Sequence, residues 1–265
     1  MISSPLGLRL ESDPERSTRE QLVEAARLGA RGVILDAAGD LAPHRLGETA
    51  RRDLRNTIQT VQLSLIALHL PTRRPFDTED ELDDRLLRAE KAFAMAYELG
   101  ANLVLVRAGA VPAEDDATRL SIYQHACREL AMRADRQGVR LGIELHDDDP
   151  AVLKAFLDRL AIPALGASID PVPLVTEGIE PGSAVAALGS HVLHVYAPEP
   201  ERRSTNRQRI GIVRPSSRLA APLDWEAFLG SLEEIDYRDY LTVWPDRPGD
   251  AAGAFKAIQK IVERF

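Results

Sequence analysis

Leu141-Gly-Ile-Glu-Leu-His-Asp-Asp-Asp-Pro150 is a short apolar run that ends in a carboxylate, an imidazole and three further acids before a proline. In a strand, alternate residues point to the same side. Glu144 and His146 therefore share one face, and Ile143 and Leu145 share the other. Charged and imidazole groups are expensive to remove from water. Their place at the end of a buried strand marks them as candidate site residues rather than packing. Pro150 suits the first turn of a helix, predicted over 151–160. The unit is a buried strand followed by a helix.

Working outward, the same unit recurs along the chain. Apolar runs predict strands at 6–10, 32–36, 63–70, 102–107, 139–145, 165–170, 191–196 and 240–244. Between them, helical spacing of apolar residues and helix-end signals predict helices. The first opens on the capping-box pair Ser17 and Glu20 and runs to Leu28. The others cover 48–62, 79–99, 116–137, 151–160, 182–188, 224–235 and 251–265. Glycines close several of them (Gly29, Gly100, Gly138). Such alternation implies a parallel sheet with helices outside. Eight repeats over about 250 residues favour a closed (β/α)8 TIM barrel, α/β in class, as one domain over 1–265. A doubly wound open sheet fits less well, because no Gly-rich phosphate turn follows the first strand.

Composition narrows the function classes. The chain has 265 residues, 45% apolar and 28% charged, with a formal charge of −8. An acidic balance argues against nucleic acid as the main partner, which depends on clustered cations. No run approaches the roughly 18 apolar residues of a membrane span, and the amino terminus lacks a signal-peptide pattern. The single Cys127 excludes a disulfide framework and fits a reducing cytoplasm.

In barrels of this kind the site lies at the carboxyl ends of the strands. Those positions hold Asp36, His69, Arg107, Glu144, His146, Asp170, His194, Tyr196 and Trp244. Each has a bland reading: Asp36 as a turn cap, His69 as a satisfied core histidine, Arg107 as the partner of a nearby acid. Glu144 and Asp170 make the stronger pair, since they end adjacent strands. Mixed carboxylate and imidazole donors suit a divalent metal such as Mn, Co, Zn or Mg.

Several segments resemble the xylose-isomerase-like barrel superfamily, including its tagatose-epimerase-type sugar isomerases and epimerases. They are Gly142-Ile-Glu144, Ser168-Ile-Asp170, His194-Val-Tyr-Ala-Pro-Glu199, Leu223-Asp-Trp225 and Tyr240-Leu-Thr-Val-Trp244. The resemblance implies one divalent metal held by Glu, Asp, His and Glu on the last four strands, with two glutamates moving protons at sugar carbons through an enediolate. Glu144 and Asp170 match the first two ligands. Tyr196 stands where the histidine belongs, Trp244 where the second glutamate belongs, and Pro173 where a further histidine is expected. A surviving metal site would need Glu144, Asp170, His194 and His146, and a second proton carrier would have to be His69.

The segment 197–222 carries six arginines, Arg207 among them, against Glu199 and Glu201. On the catalytic face these forked donors suit phosphate or carboxylate. A solvated loop, or one contacting a second copy in a homo-oligomer, fits the same composition. The resulting expectation is a sugar or sugar-phosphate isomerase or epimerase. Glu144 and His69 would be catalytic, with Asp36, Arg107, Tyr196, Trp244 and Arg207 binding substrate. The alternative is a metal-free, catalytically altered or inactive barrel that binds an anionic small molecule or a protein partner. A DNA-repair nuclease of related fold is disfavoured by the negative charge and the scattered histidines.

Overall fold

The structure is a computed structural model that describes residues 4–13, 15–145, 148–199, 223–245 and 248–265. Eight strands pair in parallel and in chain order: β1 (Leu6–Leu10), β2 (Gly32–Asp36), β3 (Ser64–Leu70), β4 (Leu103–Val106), β5 (Arg140–Leu145), β6 (Leu165–Ile169), β7 (Val192–Pro198) and β8 (Leu241–Trp244). β8 pairs back onto β1, with Leu6 opposite Leu241 and Leu8 opposite Val243, so the barrel is closed. The helices are α1 (Thr18–Leu28), α2 (Glu48–Thr60), α3 (Leu82–Leu99), α4 (Ala117–Arg136), α5 (Pro150–Leu160), α6 (Pro171–Glu177), α7 (Pro181–Leu188), α8 (Trp225–Glu234) and α9 (Ala251–Val262). This is the single TIM-barrel domain expected from the alternation of strands and helices.

Helix ends follow from local chemistry. Ser17 accepts from the Glu20 amide while Glu20 reaches back to the Ser17 amide, completing the capping box. Gly29 and Gly100 close α1 and α3 in the left-handed conformation. Pro150 occupies the first turn of α5, behind an Asp149 cap.

The strands carry two apolar layers. Leu8, Leu10, Val33, Leu35, Ile143, Leu145 and Val195 face outward and pack with helix residues such as Leu22, Phe93, Leu130 and Phe228. Inside the barrel Ile34, Ile66, Ala67, Leu103, Leu105, Leu193 and Tyr196 form a smaller cluster, against which Tyr240 and Trp244 pack. Since Leu8 and Leu10 face the helices, Gly7 and Arg9 face the lumen. A Cβ on Gly7 would lie 2.3 Å from Ile66 Cδ1, so the glycine makes room for that side chain. Large and small residues thus alternate to fill the barrel floor.

Three differences from the sequence reading bear on the site. The connection from β6 to β7 holds two helices, α6 and α7, where one was expected over 182–188. Pro171 and Pro173 both fall in the first turn of α6, where no intrahelical amide bond is required. β7 continues through Pro198, so the basic segment begins later than residue 197, and 200–222 lies outside the described residues. β4 stops at Val106, leaving Arg107 just above the sheet at the barrel mouth. Among the described residues no helix is long and apolar enough to cross a membrane.

Gly166 gives a test of the packing. A Cβ there would lie 2.4 Å from the His191 carbonyl oxygen and 2.5 Å from Leu193 Cγ, contacts that the rigid sheet cannot relieve. Gly166→Ala is expected to cost about 1–3 kcal/mol in urea unfolding. Gly230→Ala, on α8 with nothing within 4 Å of the added carbon, is expected to be neutral or stabilising by up to about 1 kcal/mol.

Candidate active site

The site is assembled from lumen-facing positions near the strand ends, and its centre is a residue the sequence reading passed over. Arg9 projects inward from β1 with its side chain 3% exposed. One terminal nitrogen, Nη1, donates to the Tyr196 hydroxyl at 3.0 Å. The other, Nη2, donates to Asp36 Oδ1 at 3.0 Å and lies 2.8 Å from His69 Nδ1. Glu144 Oε1 is 3.9 Å from Nη1. The Trp244 ring covers the guanidinium, its centroid 3.7 Å from Cζ. Arg9 Nε has no hydrogen-bond partner among the described residues. Side chains from β2, β3, β5, β7 and β8 converge on this one cation.

His69 joins the two carboxylates. Its Nδ1 is 3.0 Å from Asp36 Oδ1, and its Nε2 is 3.5 Å from Glu144 Oε1. A guanidinium only donates, so in the neutral ring Nδ1 accepts from Arg9 and Nε2–H faces Glu144; in the protonated ring Nδ1–H faces Asp36. Burial and the Arg9 charge oppose protonation of His69. Glu144, by charge and hydrogen bond, and Asp36, by hydrogen bond, outweigh them and hold its pKa above the ordinary imidazole value. For Glu144, burial alone would favour the neutral acid, but His69, Arg9 and Arg107 hold it far below the usual carboxylate range. Asp36 is shifted down in the same sense: the Arg9 charge and the His69 hydrogen bond outweigh its burial. Glu144 is therefore a fixed anion, and His69 is the group poised to exchange a proton.

The other residues singled out in the sequence occupy distinct places. Arg107 stands at the mouth, 33% exposed, with Nε 3.9 Å from Glu144 Oε2. Tyr196 is buried; its hydroxyl accepts from Arg9 and donates to Glu144 Oε1 at 3.5 Å, and burial raises its pKa. Trp244 Nε1 donates to Glu11 Oε1 at 3.1 Å while its ring packs on Tyr196 and Arg9. Asp170 is buried and caps α6, accepting from the Val172 amide at 3.2 Å. His194 lies in the barrel floor, 1% exposed, between Ser168 Oγ (2.9 Å from Nδ1) and Thr242 Oγ1 (2.8 Å from Nε2). His146 and Arg207 lie outside the described residues.

The described residues do not fit a divalent metal. Both ring nitrogens of His194 are held by hydroxyl groups, so this imidazole is a satisfied core histidine rather than a ligand. Both oxygens of Glu144 already face cations, Arg9 and His69 at one and Arg107 at the other. A dication brought to Glu144 would meet the charges of two guanidinium groups. Among the described residues no group of three or more His, Cys, Asp or Glu is placed to hold an ion.

Only an Arg in the middle of an otherwise apolar strand, Leu6-Gly-Leu-Arg-Leu10, could have flagged Arg9 in the sequence. Such a residue is seldom fully buried without partners, and its partners sit on β2, β3, β5, β7 and β8, remote in the chain.

The chain is a closed parallel (β/α)8 barrel with a carboxylate–imidazole cluster at the strand ends. The sequence matches the family of xylose isomerase-like TIM barrels over residues 22–263, and the chain belongs to that family. No curated protein sequence matches it. A xylose isomerase domain protein from Planctomyces limnophilus superposes with TM-score 0.79 at 17% identity, covering 99% of this chain and 96% of that one. D-allulose 3-epimerase from Methylomonas sp. gives 0.75 at 18%, covering 100% and 99%. 3-keto-D-glucoside 4-epimerase from E. coli gives 0.73 at 14%, covering 98% and 99%. At these identities the likeness is one of fold.

His194 supplies a test by pH. Burial pushes its pKa down to about 3, helped by the nearby Arg9 and His69 charges and opposed by Glu144. The unfolded chain takes up a proton near the ordinary value of 6.5 that the native state refuses. Stability from this group is thus complete above about pH 6.5 and declines as pH falls towards 3, by at most about 1.4 kcal/mol per unit. His194→Asn is expected to flatten the slope of unfolding free energy between pH 6 and 4, measured by urea titration at each pH.

Proposed function

We propose that the protein is an isomerase or epimerase of a small sugar or sugar-like hydroxycarbonyl compound, moving a proton beside the carbonyl at the barrel mouth. The observation that carries this reading is the contact between His69 Nε2 and Glu144 Oε1 at 3.5 Å, at the strand ends of a xylose isomerase-like barrel. Both side chains are about one-tenth exposed.

His69 is the proton carrier. It removes the proton from the carbon next to the carbonyl, and the electron pair moves onto the carbonyl oxygen as an enediolate. Glu144 and Asp36 hold the resulting imidazolium between them. Arg107, the partly exposed cation at the mouth, faces the oxygen on which charge develops. The proton of the neighbouring hydroxyl passes to the former carbonyl oxygen, and the imidazolium of His69 returns its proton to carbon, so that the carbonyl re-forms on the adjacent carbon. Because His69 and Glu144 are in contact, they serve one face of a substrate. This favours return of the proton to the neighbouring carbon, an aldose–ketose isomerisation, over inversion at one carbon, which needs groups on opposite faces.

The test is exchange of the carbon-bound hydrogen of ketoses and aldoses in D2O, followed by NMR. Wild type is expected to exchange the hydrogen next to the carbonyl of at least one sugar or sugar phosphate. His69→Gln is expected to lower that rate by about 100- to 10,000-fold. Glu144→Gln is expected to lower it and to move the pH profile to lower pH, because the imidazolium loses an anionic neighbour. Exchange that is unchanged in His69→Gln, or absent across the panel, overturns the reading.

A second reading, an anion-binding barrel without turnover, is favoured by the partly exposed Arg107 guanidinium. Calorimetry with sugar phosphates and organic acids distinguishes it: binding that Arg107→Gln weakens by about tenfold or more, without hydrogen exchange, supports it.

A further inference from the structure

Beside Glu144 the barrel holds the buried side chain of Arg9, 3% exposed. We infer that Arg9 is the resident cation of this barrel, and that its guanidinium, rather than a bound divalent ion, balances the buried acids of the site. Four observations converge on this. Arg9 is buried and reaches the centre of the cluster, with Asp36 at 3.0 Å, Tyr196 at 3.0 Å, His69 at 2.8 Å and Glu144 at 3.9 Å. Tyr196 and Trp244, which stand where the family pattern puts a histidine and a glutamate, both serve Arg9: one by hydrogen bond, the other by stacking at 3.7 Å. His194, the remaining imidazole of β7, is committed to Ser168 and Thr242. With Arg107, the site sets two guanidinium charges against the carboxylates of Asp36 and Glu144.

The replacements at Tyr196 and Trp244 therefore read as one coordinated change. A histidine at 196 would lose the phenol that bridges Arg9 to Glu144. A glutamate at 244 would remove the aromatic lid over the guanidinium. The Trp244 ring covers one face of the guanidinium and the Arg9 side chain is only 3% exposed, which leaves it little surface for a substrate. Arg9 is a positioning residue that acts through His69 and Glu144. The electrostatic consequence differs from that of a metal: a guanidinium holds its neighbours by directed hydrogen bonds and offers no open coordination position. The inference does not depend on the proposed turnover, and its tests read metal binding and stability.

The first test is titration of the purified chain with Mn2+, followed by electron paramagnetic resonance and thermal unfolding, beside Glu144→Gln. The expected result is no stoichiometric binding and an unchanged Tm. One Mn2+ bound per chain, raising Tm in wild type but not in Glu144→Gln, overturns the inference. The second test compares Arg9→Met, Arg9→Lys and the double variant Arg9→Met/Glu144→Gln by urea unfolding at pH 5 and pH 8. Without Arg9, the buried acids are stranded as anions, so Arg9→Met is expected to lose more stability at pH 8 than at pH 5. Arg9→Lys, which keeps the charge, is expected to show a smaller difference between the two pH values. The double variant, which removes charge and partner together, is expected to be more stable at pH 8 than the single one. Equal destabilisation of Arg9→Met at both pH values, or a double variant no better than the single, overturns it. Should Arg9→Met not fold at pH 8, the Mn2+ titration of wild type and folding of the double variant still decide the matter.

Discussion

A buried guanidinium is the constraint from which the rest of this site follows. Removing a charge from water costs several kcal/mol even after the protein relaxes around it, so Arg9 requires a cage of acceptors held at fixed places. The barrel supplies one, because residues distant in sequence meet across its lumen. Asp36, His69, Glu144 and Tyr196 each sit within hydrogen-bond or ion-pair distance of Arg9, and the indole of Trp244 closes the top. Each partner is in turn fixed by another: Tyr196 by Glu144, Trp244 by Glu11, Glu144 by Arg107. The cage is a connected network, in which the removal of one member leaves a buried polar group without its partner.

This arrangement sets what the ionisable groups can do. A carboxylate ringed by cations is a poor proton acceptor, whereas an imidazole between two carboxylates gains a proton more readily than in water. In the proposed reaction, proton transfer therefore falls to His69 rather than to Glu144, the residue the family resemblance singles out. Glu144 becomes the fixed charge that stabilises the imidazolium. Barrels of one fold host different chemistries by changing residues at the strand ends, and here the change concerns which group is charged and which is free to titrate.

Much of the architecture was legible from local signals. The strand at 141–145 announced itself by an apolar run, and the Ser17–Glu20 box and Gly100 marked helix ends where the structure has them. The helix Pro171–Glu177 was not predicted: it is only seven residues long, with prolines at two of its first three positions. Among site residues, Asp36, His69, Arg107 and Glu144 were identifiable as polar groups ending apolar strands, and the structure brings them together. His194 had the same signature and lies instead in the barrel floor. Its two hydroxyl partners, Ser168 and Thr242, carry no distinguishing pattern of their own.

The sequence by itself determined the barrel, since strand and helix periodicities and their punctuation are local properties of the chain. It also determined that the metal pattern of the family is broken at residues 196 and 244. Only the tertiary structure decided what stands in its place. Burial, charge pairing and ring stacking depend on which side chains meet across the lumen, and β1 meets β8 only when the sheet closes. Arg9, one cation in a short apolar strand, became the centre of the site through that closure.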